Sequence, residues 1–221
     1  MSPKYQHEID TPAGRKRAYR SMEWVDHGIL RHRWHNFEQI APDVYRSNHP
    51  SLRRFEAYAE MGIKAVLNLR GAMFSPEALF EIEICERLGL DLIVTPMAAR
   101  RAPTVVELNR LFDAFEAIER PFFMHCKSGA DRTGLASALY LLHYQNADLA
   151  TAKAQLSFAY VHIRRTATGV LDHFLTLYEA DHAQTGIGVL DWINSAYDPD
   201  VLTESFAARQ KALRFWQGWR D

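Results

Sequence analysis

The chain of 221 residues contains few cysteines, no long apolar run and almost no net charge. Two cysteines, Cys85 and Cys126, are too few for a disulfide scaffold in a chain of this length. The formal net charge of −1 gives no overall attraction to nucleic acid. No apolar stretch approaches the roughly 20 residues that a membrane-spanning helix needs, and residues 1–10 lack the apolar core of a secretory signal. We therefore expect a cytoplasmic protein with no transmembrane segment and no nucleic-acid partner.

What is present fits a globular chain with a sizeable core, since 48% of the residues are hydrophobic and 24% are charged. Short branched apolar runs alternate with segments whose apolar residues recur at helical spacing. This alternation predicts an α/β fold with a central, mainly parallel sheet flanked by helices.

One stretch, His125–Gly134 with the sequence HCKSGADRTG, stands out as a candidate site. It follows the apolar run 121–124 and precedes the apolar run 135–142, which predicts a strand, a tight loop and a helix. The unpaired amides at the start of such a helix, together with its macrodipole, favour a bound anion.

The residue types in this loop match the chemistry of a phosphate group. Arg132 closes the loop six positions after Cys126 and supplies a planar fork for two phosphate oxygens. The positive field is expected to lower the pKa of the Cys126 thiol and leave a thiolate nucleophile. Gly129 lets the backbone approach the anion, Gly134 lets the helix pack close to the strand, and the Thr133 hydroxyl is expected to hydrogen-bond the sulfur. The alternative is a buried structural cysteine beside an ordinary surface arginine.

The stretch resembles the signature loop of the cysteine-dependent protein tyrosine phosphatase superfamily, in particular its dual-specificity and lipid-phosphatase branches. Val44–Ser51 (VYRSNHPS) and Ile63–Arg70 (IKAVLNLR) are similar to segments of atypical bacterial, plant and fungal members. The resemblance covers about residues 37–180. It implies a tyrosine-phosphatase-like fold and metal-independent hydrolysis of phosphomonoesters through a phospho-cysteine, with no cofactor and no metal.

The resemblance also implies the roles of the loop residues. Cys126 would be the nucleophile and Arg132 would bind the transferring phosphoryl group. Arg70 is either an anchor for the loop or a surface charge, and the resemblance favours the anchor. The remaining residues expected to bind the substrate are Lys127, Ser128, Gly129, Ala130 and Thr133.

The general acid is absent from the place where most of the family carries it. The corresponding loop, residues 95–104, contains no Asp, Glu or His. Asp91 lies at the wrong end of its strand, and Glu107 is already in a helix. Asp131 is the alternative, because the myotubularin and Sac-type phosphoinositide phosphatases also place an aspartate directly before the signature arginine. Otherwise Asp131 only pairs with a neighbouring base or hydrogen-bonds the loop.

Several substrates and functions stay open. Lys127 adds a second cation near the anion, as in lipid-directed members of the family, so a phosphoinositide, another lipid phosphate or an inositol phosphate rivals a phosphoprotein. An inactive phosphate-binding module is a second rival, and a sulfur transferase or arsenate reductase is disfavoured by Arg132-Thr133-Gly134. Four arginines either form a basic rim around the site or are individually solvated surface charges: Arg100, Arg101, Arg164 and Arg165.

The chain divides into a basic N-terminal extension (1–36), a phosphatase domain (37–182) and a C-terminal extension packed on that domain (183–221). The first segment is either a basic arm that steers anionic substrates or touches a membrane surface or, as we favour, a solvated extension packed through Trp24 and Trp34. Cys85 lies on an apolar helix face and is expected to be an inert core thiol, with a reserve disulfide to Cys126 as the alternative.

Overall fold

The computed structural model describes residues 9–71 and 73–217. Residues 1–8 of the N-terminal extension and 218–221 of the C-terminal extension lie outside the described residues. The chain forms two compact units. The first comprises residues up to Pro96 together with 114–129, and the second comprises 97–113 and the residues from Ala130 onward. The three segments expected from the sequence remain a prediction.

Regular structure within the described residues consists of five strands, ten α-helices and short turns of π- and 3₁₀-helix. The strands are β1 (Glu38–Ala41), β2 (Val44–Ser47), β3 (Ala65–Asn68), β4 (Asp91–Val94) and β5 (Phe122–His125). The α-helices are α1 (Pro12–Arg20), α2 (Gly28–Arg31), α3 (Leu52–Glu60), α4 (Pro76–Leu88), α5 (Val105–Ala117), α6 (Arg132–Tyr144), α7 (Leu149–Ala154), α8 (Val170–Thr185), α9 (Val189–Ser195) and α10 (Pro199–Gln217). None of these helices is long and apolar enough to cross a membrane.

All five strands belong to one sheet of the first unit, in the order β1-β2-β5-β3-β4. Only β1 and β2 are antiparallel, and the other three pairings are parallel. The predicted α/β fold with a mainly parallel sheet is therefore confirmed. Ser47 at the end of β2 and Asn68 at the end of β3 both lie opposite His125 at the end of β5. The residues that follow these strands consequently emerge at one edge of the sheet, where open α/β sheets bind ligands.

The core of the first unit lies between this sheet and helices α3 and α4. Branched and aromatic side chains fill it, as expected for parallel strands that are buried on their faces. One buried cluster in it consists of Phe55, Tyr58, Ile63, Val66, Ile84, Cys85, Leu90 and Phe123. Cys85 is unpaired and its burial raises the pKa of its thiol, so the expectation of an inert core thiol is confirmed.

The N-terminal residues pack on the first unit, but by other side chains than expected. Ala18 and Met22 are buried against Phe80 of α4. Trp24 is 66% exposed, so the expectation that it packs on the domain is wrong. Trp34 is partly buried, and its indole N–H donates to Asn36 Oδ1 at 2.8 Å. The side chains that attach this segment are thus Ala18 and Met22 rather than Trp24.

Helices make up the second unit, and α6 is buried along most of its length. A Cβ atom at Gly134 would lie 2.6 Å from Gln155 O and 2.7 Å from Leu156 Cδ2. Gly134 therefore permits close packing of α6 on the residues after α7, rather than on the strand as the sequence suggested. In the same unit, a cluster of rings with centroids 4.9–5.2 Å apart is formed by Phe174, Trp192 and Tyr197.

Candidate active site

The first half of the signature loop, from Cys126 to Gly129, belongs to the first unit. Cys126 directly follows β5, and its thiol is buried. The Gly129 N–H donates to Cys126 Sγ at 3.3 Å. Gly129 has φ +71°, and a Cβ atom there would lie 2.7 Å from both Ser47 O and Asn48 N. Only glycine fits this position, because both the backbone conformation and the space exclude a side chain.

The carbonyl oxygens of three consecutive loop residues are held by the surrounding structure. Lys127 O, Ser128 O and Gly129 O each accept one hydrogen bond, at 3.2, 2.8 and 2.6 Å. Their donors are, in the same order, His49 N, Asn36 Nδ2 and Arg46 Nη2. With its carbonyls turned outward, the loop is left with its N–H groups as the donors for a ligand or for the sulfur, which is the arrangement of an anion-binding nest.

Behind Cys126 lies a buried network centred on His125. Its Nδ1 donates to Cys126 O at 3.1 Å, and its Nε2 is 2.6 Å from Glu81 Oε1. Asn68 Nδ2 donates to Glu81 Oε2 at 2.6 Å. The ligand atoms of His49, Glu81 and His125 lie within 4.8 Å of one another, a spacing compatible with a metal ion. Both Glu81 oxygens are already engaged by Asn68 and His125, whereas His49 Nδ1 is buried without a hydrogen-bond partner among the described residues.

Two of the predicted binding residues, Arg70 and Lys127, converge on a carboxylate that the sequence did not indicate. Arg70 donates to both Asp26 oxygens at 2.8 and 3.0 Å and to Glu77 Oε1 at 2.7 Å. Lys127 Nζ lies 3.1 Å from Asp26 Oδ1, and Arg31 Nη2 lies 2.7 Å from Asp26 Oδ2. Burial opposes ionisation of Asp26, yet these cations hold its pKa below the ordinary value. Arg70 therefore reaches the signature loop through Asp26 and Lys127.

The charge of Arg70 also interacts with Cys126, the candidate nucleophile. Although burial acts against it, the pKa of Arg70 is raised because Asp26, Glu77 and an ionised Cys126 favour the guanidinium cation. This supports a role for Arg70 beyond surface charge.

The second half of the loop, from Ala130 onward, belongs to the second unit. Ala130 is buried, Asp131 precedes α6, and Arg132 is the first residue of that helix. The Thr133 hydroxyl is fully buried and has no hydrogen-bond partner among the described residues. The expected hydrogen bond from Thr133 to the Cys126 sulfur is therefore not formed in this structure.

A histidine that sequence reasoning missed holds Asp131. His162 Nδ1 lies 2.7 Å from Asp131 Oδ1, and its Nε2 lies 2.6 Å from Asp172 Oδ2. Asp172 is in the first turn of α8. His162 belongs to no motif and has an apolar residue on either side. A single histidine of this kind gives no signal in the sequence, so only the tertiary structure identifies it.

The other carboxylates considered as acids are placed unsuitably. Asp91 begins β4 opposite Ala65, at the far end of the sheet from His125. Glu107 lies 2.6 and 2.8 Å from the Arg101 guanidinium, and it accepts from Thr104 N at 2.8 Å. Burial opposes ionisation of Glu107, but these bonds hold its pKa below the ordinary value. It is therefore a paired carboxylate rather than a proton donor.

The four arginines expected at the rim do not form one group. Arg100 lines an open cavity of about 450 Å³ together with Asp131. Arg164 and Arg165 line a different cavity of about 310 Å³. Arg101 is held by the carboxylate described above. Among these arginines, Arg100 shares a cavity with the candidate acid.

Comparison with known proteins agrees with this geometry. The family model Tc-R-P, described as a polymorphic toxin system DSP-PTPase phosphatase, matches residues 41–146, which include β2–β5 and the whole signature loop. The matched residues, 41–146, form a domain of the cysteine-dependent protein tyrosine phosphatase superfamily. It is a phosphatase, as the signature loop implied. No curated protein matches the sequence of this phosphatase.

Solved structures share the fold of the phosphatase at low sequence identity. The core catalytic domain of the PP-IP phosphatase SIW14 from S. cerevisiae, in complex with citrate, is 18% identical with a TM-score of 0.53, covering 68% of this chain and 93% of that one. TpbA from P. aeruginosa is 21% identical with a TM-score of 0.51, covering 78% of this chain and 91% of that one. A cysteine-to-serine variant of TpbA has been solved in complex with phosphotyrosine, again at 21% identity and a TM-score of 0.51, covering 67% of this chain and 96% of that one.

Proposed function

We propose that the phosphatase hydrolyses phosphomonoesters through a phospho-cysteine intermediate, with Cys126 as the nucleophile and Arg132 as the ligand of the phosphoryl group. One observation carries the proposal. Three consecutive loop carbonyls are turned toward the surrounding structure, while the Gly129 N–H points at the Cys126 sulfur. Such a loop donates hydrogen bonds to a thiolate and to phosphate oxygens. A reducing compartment such as the cytoplasm suits this chemistry, because an oxidised Cys126 is no nucleophile.

The reaction has two steps. In the first, the Cys126 thiolate attacks phosphorus, the P–S bond forms, and the bond from phosphorus to the leaving oxygen breaks. The leaving oxygen takes a proton from Asp131. In the second, water attacks the phospho-cysteine, Asp131 takes a proton from that water, and the P–S bond breaks to release inorganic phosphate. Asp131 gives one proton and regains one, so the enzyme returns to its starting state.

The assignment of Asp131 is supported by its surroundings and by the position of its rivals. Its side chain is 24% exposed and lines the 450 Å³ cavity, so one carboxyl face meets solvent or a ligand. Asp91 is at the wrong end of the sheet, and Glu107 is held by Arg101. Residues 95–104 supply no acid.

For the substrate, we propose a phosphomonoester whose leaving group has an apolar part, with a phosphorylated protein side chain ahead of an inositol phosphate. The cavity beside Asp131 is lined by the aliphatic side chains of Val161 and Ile163 and by one cation, Arg100. A leaving group that itself carries several phosphates requires several cations. Both a phosphotyrosine complex and an inositol pyrophosphate phosphatase occur among the structures of this fold. The panel below therefore includes both classes.

The test is release of inorganic phosphate by the purified protein, with EDTA present, from phosphotyrosine and phosphoserine peptides, a phosphoinositide in mixed micelles, an inositol phosphate and p-nitrophenyl phosphate. We expect turnover in EDTA, inhibition by vanadate, and loss of turnover in Cys126→Ser. A serine hydroxyl is a far weaker nucleophile than a thiolate. Cys85→Ser is the matched control, because Cys85 lies in the core and is expected to leave turnover intact.

Equal turnover by Cys126→Ser and the wild type would show that this cysteine is not the nucleophile. Binding of phosphate without turnover of any substrate would instead favour the phosphate-binding module.

A further inference from the structure

His162 is enclosed by two carboxylates from different segments. It is 3% exposed, whereas its neighbours Val161 and Ile163 are 44% and 48% exposed. The imidazole spans Asp131 and Asp172 with hydrogen-bond distances of 2.7 and 2.6 Å. Both ring nitrogens are thus occupied, and the ring orientation is fixed from two sides.

The backbone before His162 is strained. A single 3₁₀ turn, Phe158–Tyr160, leads into Val161, which has φ +63°. The left-handed region costs a β-branched residue roughly 1–2 kcal/mol, and such strain persists only where the surrounding structure holds it in place. Here the turn directs His162 inward while Val161 remains at the surface.

The two carboxylates also determine the charge of the His162 ring. Burial alone would lower the pKa of His162, but the bonds to Asp131 and Asp172 raise it to about 9. At neutral pH the ring is an imidazolium that donates from both nitrogens. Arg164 Nε lies 3.6 Å from the other Asp172 oxygen and adds a further cation to this group.

We propose that His162 is a positioning residue for the general acid, and that Asp172 fixes His162 in turn. The proposal rests on the function proposed above, in which Asp131 is the acid. The Nδ1–H donates to Asp131 Oδ1, which leaves Oδ2 as the oxygen that carries the catalytic proton. When that proton passes to the leaving oxygen, the new carboxylate charge is met by the imidazolium. His162 keeps both of its protons throughout, so the balance of the two steps is unchanged.

The competing explanation is that the Asp131–His162–Asp172 group only ties α6 to α8. The two explanations differ in their dependence on the leaving group. A residue that serves the acid matters most for alkyl phosphates, whose leaving oxygen needs a proton, and little for an activated aryl phosphate. A purely structural tie affects both substrates by the same factor.

The experiment compares kcat and KM of two variants on an alkyl phosphate and on p-nitrophenyl phosphate. In His162→Asn, the amide N–H takes the place of Nδ1 and keeps the donor to Asp131. In His162→Gln, the longer amide takes the place of Nε2 and keeps the bond to Asp172. Loss of one charge-assisted hydrogen bond is worth about 10–100-fold. We expect His162→Gln to lower kcat by about this factor on the alkyl phosphate alone, with KM unchanged, and His162→Asn, which keeps the donor to Asp131 but not the charge, to lose clearly less.

A second measurement keeps the test decisive if a variant is destabilised. Combined with Asp131→Asn, His162→Gln should cause no further loss, because the positioned group is already gone. The matched control is His173→Asn. His173 is a buried histidine of α8 that hydrogen-bonds Ser205 rather than a carboxylate, so this variant should change the rates on both substrates by the same factor.

Equal losses on both substrates, equal behaviour of the Asn and Gln variants, or additivity with Asp131→Asn would each overturn the proposal. If Asp131→Asn shows leaving-group dependence and His162→Gln does not, the inference fails while the acid assignment stands. If Asp131→Asn itself shows no such dependence, the acid assignment fails.

Discussion

The two halves of the signature loop are held by different means. Cys126–Gly129 is fixed mainly through its own backbone, whose carbonyls accept hydrogen bonds from Asn36, Arg46 and His49. Asp131 is fixed through its side chain by one imidazolium and, behind it, a second carboxylate. The difference suggests that the first half serves as a rigid receptor for an anion, whereas the second carries a group that must gain and lose a proton. Damage to the two halves should therefore have different kinetic consequences.

The largest effect that separates the halves is expected for Asp131→Asn. The amide cannot donate a carboxyl proton, so hydrolysis of an alkyl phosphate should slow by about 10²–10⁴-fold. An activated aryl phosphate should be affected much less, since its leaving group departs without a proton. Steady-state rates on both substrates check this. A uniform loss would show that the carboxylate is structural.

Arg132→Lys should damage both substrates alike. Lysine keeps the charge but cannot make paired contacts to two phosphate oxygens. Removal of one donor to a transition-state oxyanion typically costs about 10²–10³-fold, and we expect a loss of that order with either leaving group. Single-turnover rates measure it directly. Near-normal rates would mean that Arg132 is not in the site.

Gly129→Ala tests the rigidity of the first half. A methyl group would meet Ser47 O and Asn48 N at 2.7 Å and would sit on a backbone with φ +71°. We expect a loss of stability of about 1–3 kcal/mol and a fall in activity that is independent of the leaving group. Gly89→Ala is the control, because Gly89 has φ +66° with no atom within 4 Å of the added Cβ. Gly89→Ala should therefore lose stability through backbone strain without a steric clash, and it should retain activity. Urea unfolding curves and rates on both substrates decide the comparison.

The last expected effect is on stability alone, as a pH dependence that comes from the second half. The folded-state pKa of His162, about 9, exceeds its ordinary value of 6.5. The folded state therefore binds this proton more tightly, and the stabilisation is fully present below about pH 6.5 and lost as the pH rises through 9. Each unit of such a difference corresponds to about 1.4 kcal/mol. The groups that face this ring are Asp131, Asp172 and, beyond Asp172, Arg164.

We expect the free energy of unfolding of the wild type to fall between pH 7 and pH 10 relative to that of His162→Gln, which cannot titrate. Parallel curves for the two proteins would show that the imidazolium contributes nothing to stability.

Much of the fold and the first half of the site could be predicted because their information is local. The apolar run before Cys126 and the helical spacing after Gly134 predict the strand, loop and helix, and the structure has β5 and α6 there. The core position of Cys85 follows in the same way from neighbouring residues. Register could not be predicted, because it depends on which strands become neighbours.

What the sequence by itself determined about this protein is the order of residues in the loop, and hence the chemistry that residues 126–132 can perform. The tertiary structure alone decided which distant groups serve them. Asp26 forms ion pairs with Arg70 and Lys127. Arg46 donates a hydrogen bond to Gly129 O, and His162 hydrogen-bonds Asp131. Asp26 and His162 belong to no motif, and the resemblance of Val44–Ser51 assigned no role to Arg46; each of the three is a polar residue buried together with a partner. A hydrogen bond requires two groups to be within about 3 Å, and for residues far apart in the chain only the packing of the elements between them brings that about.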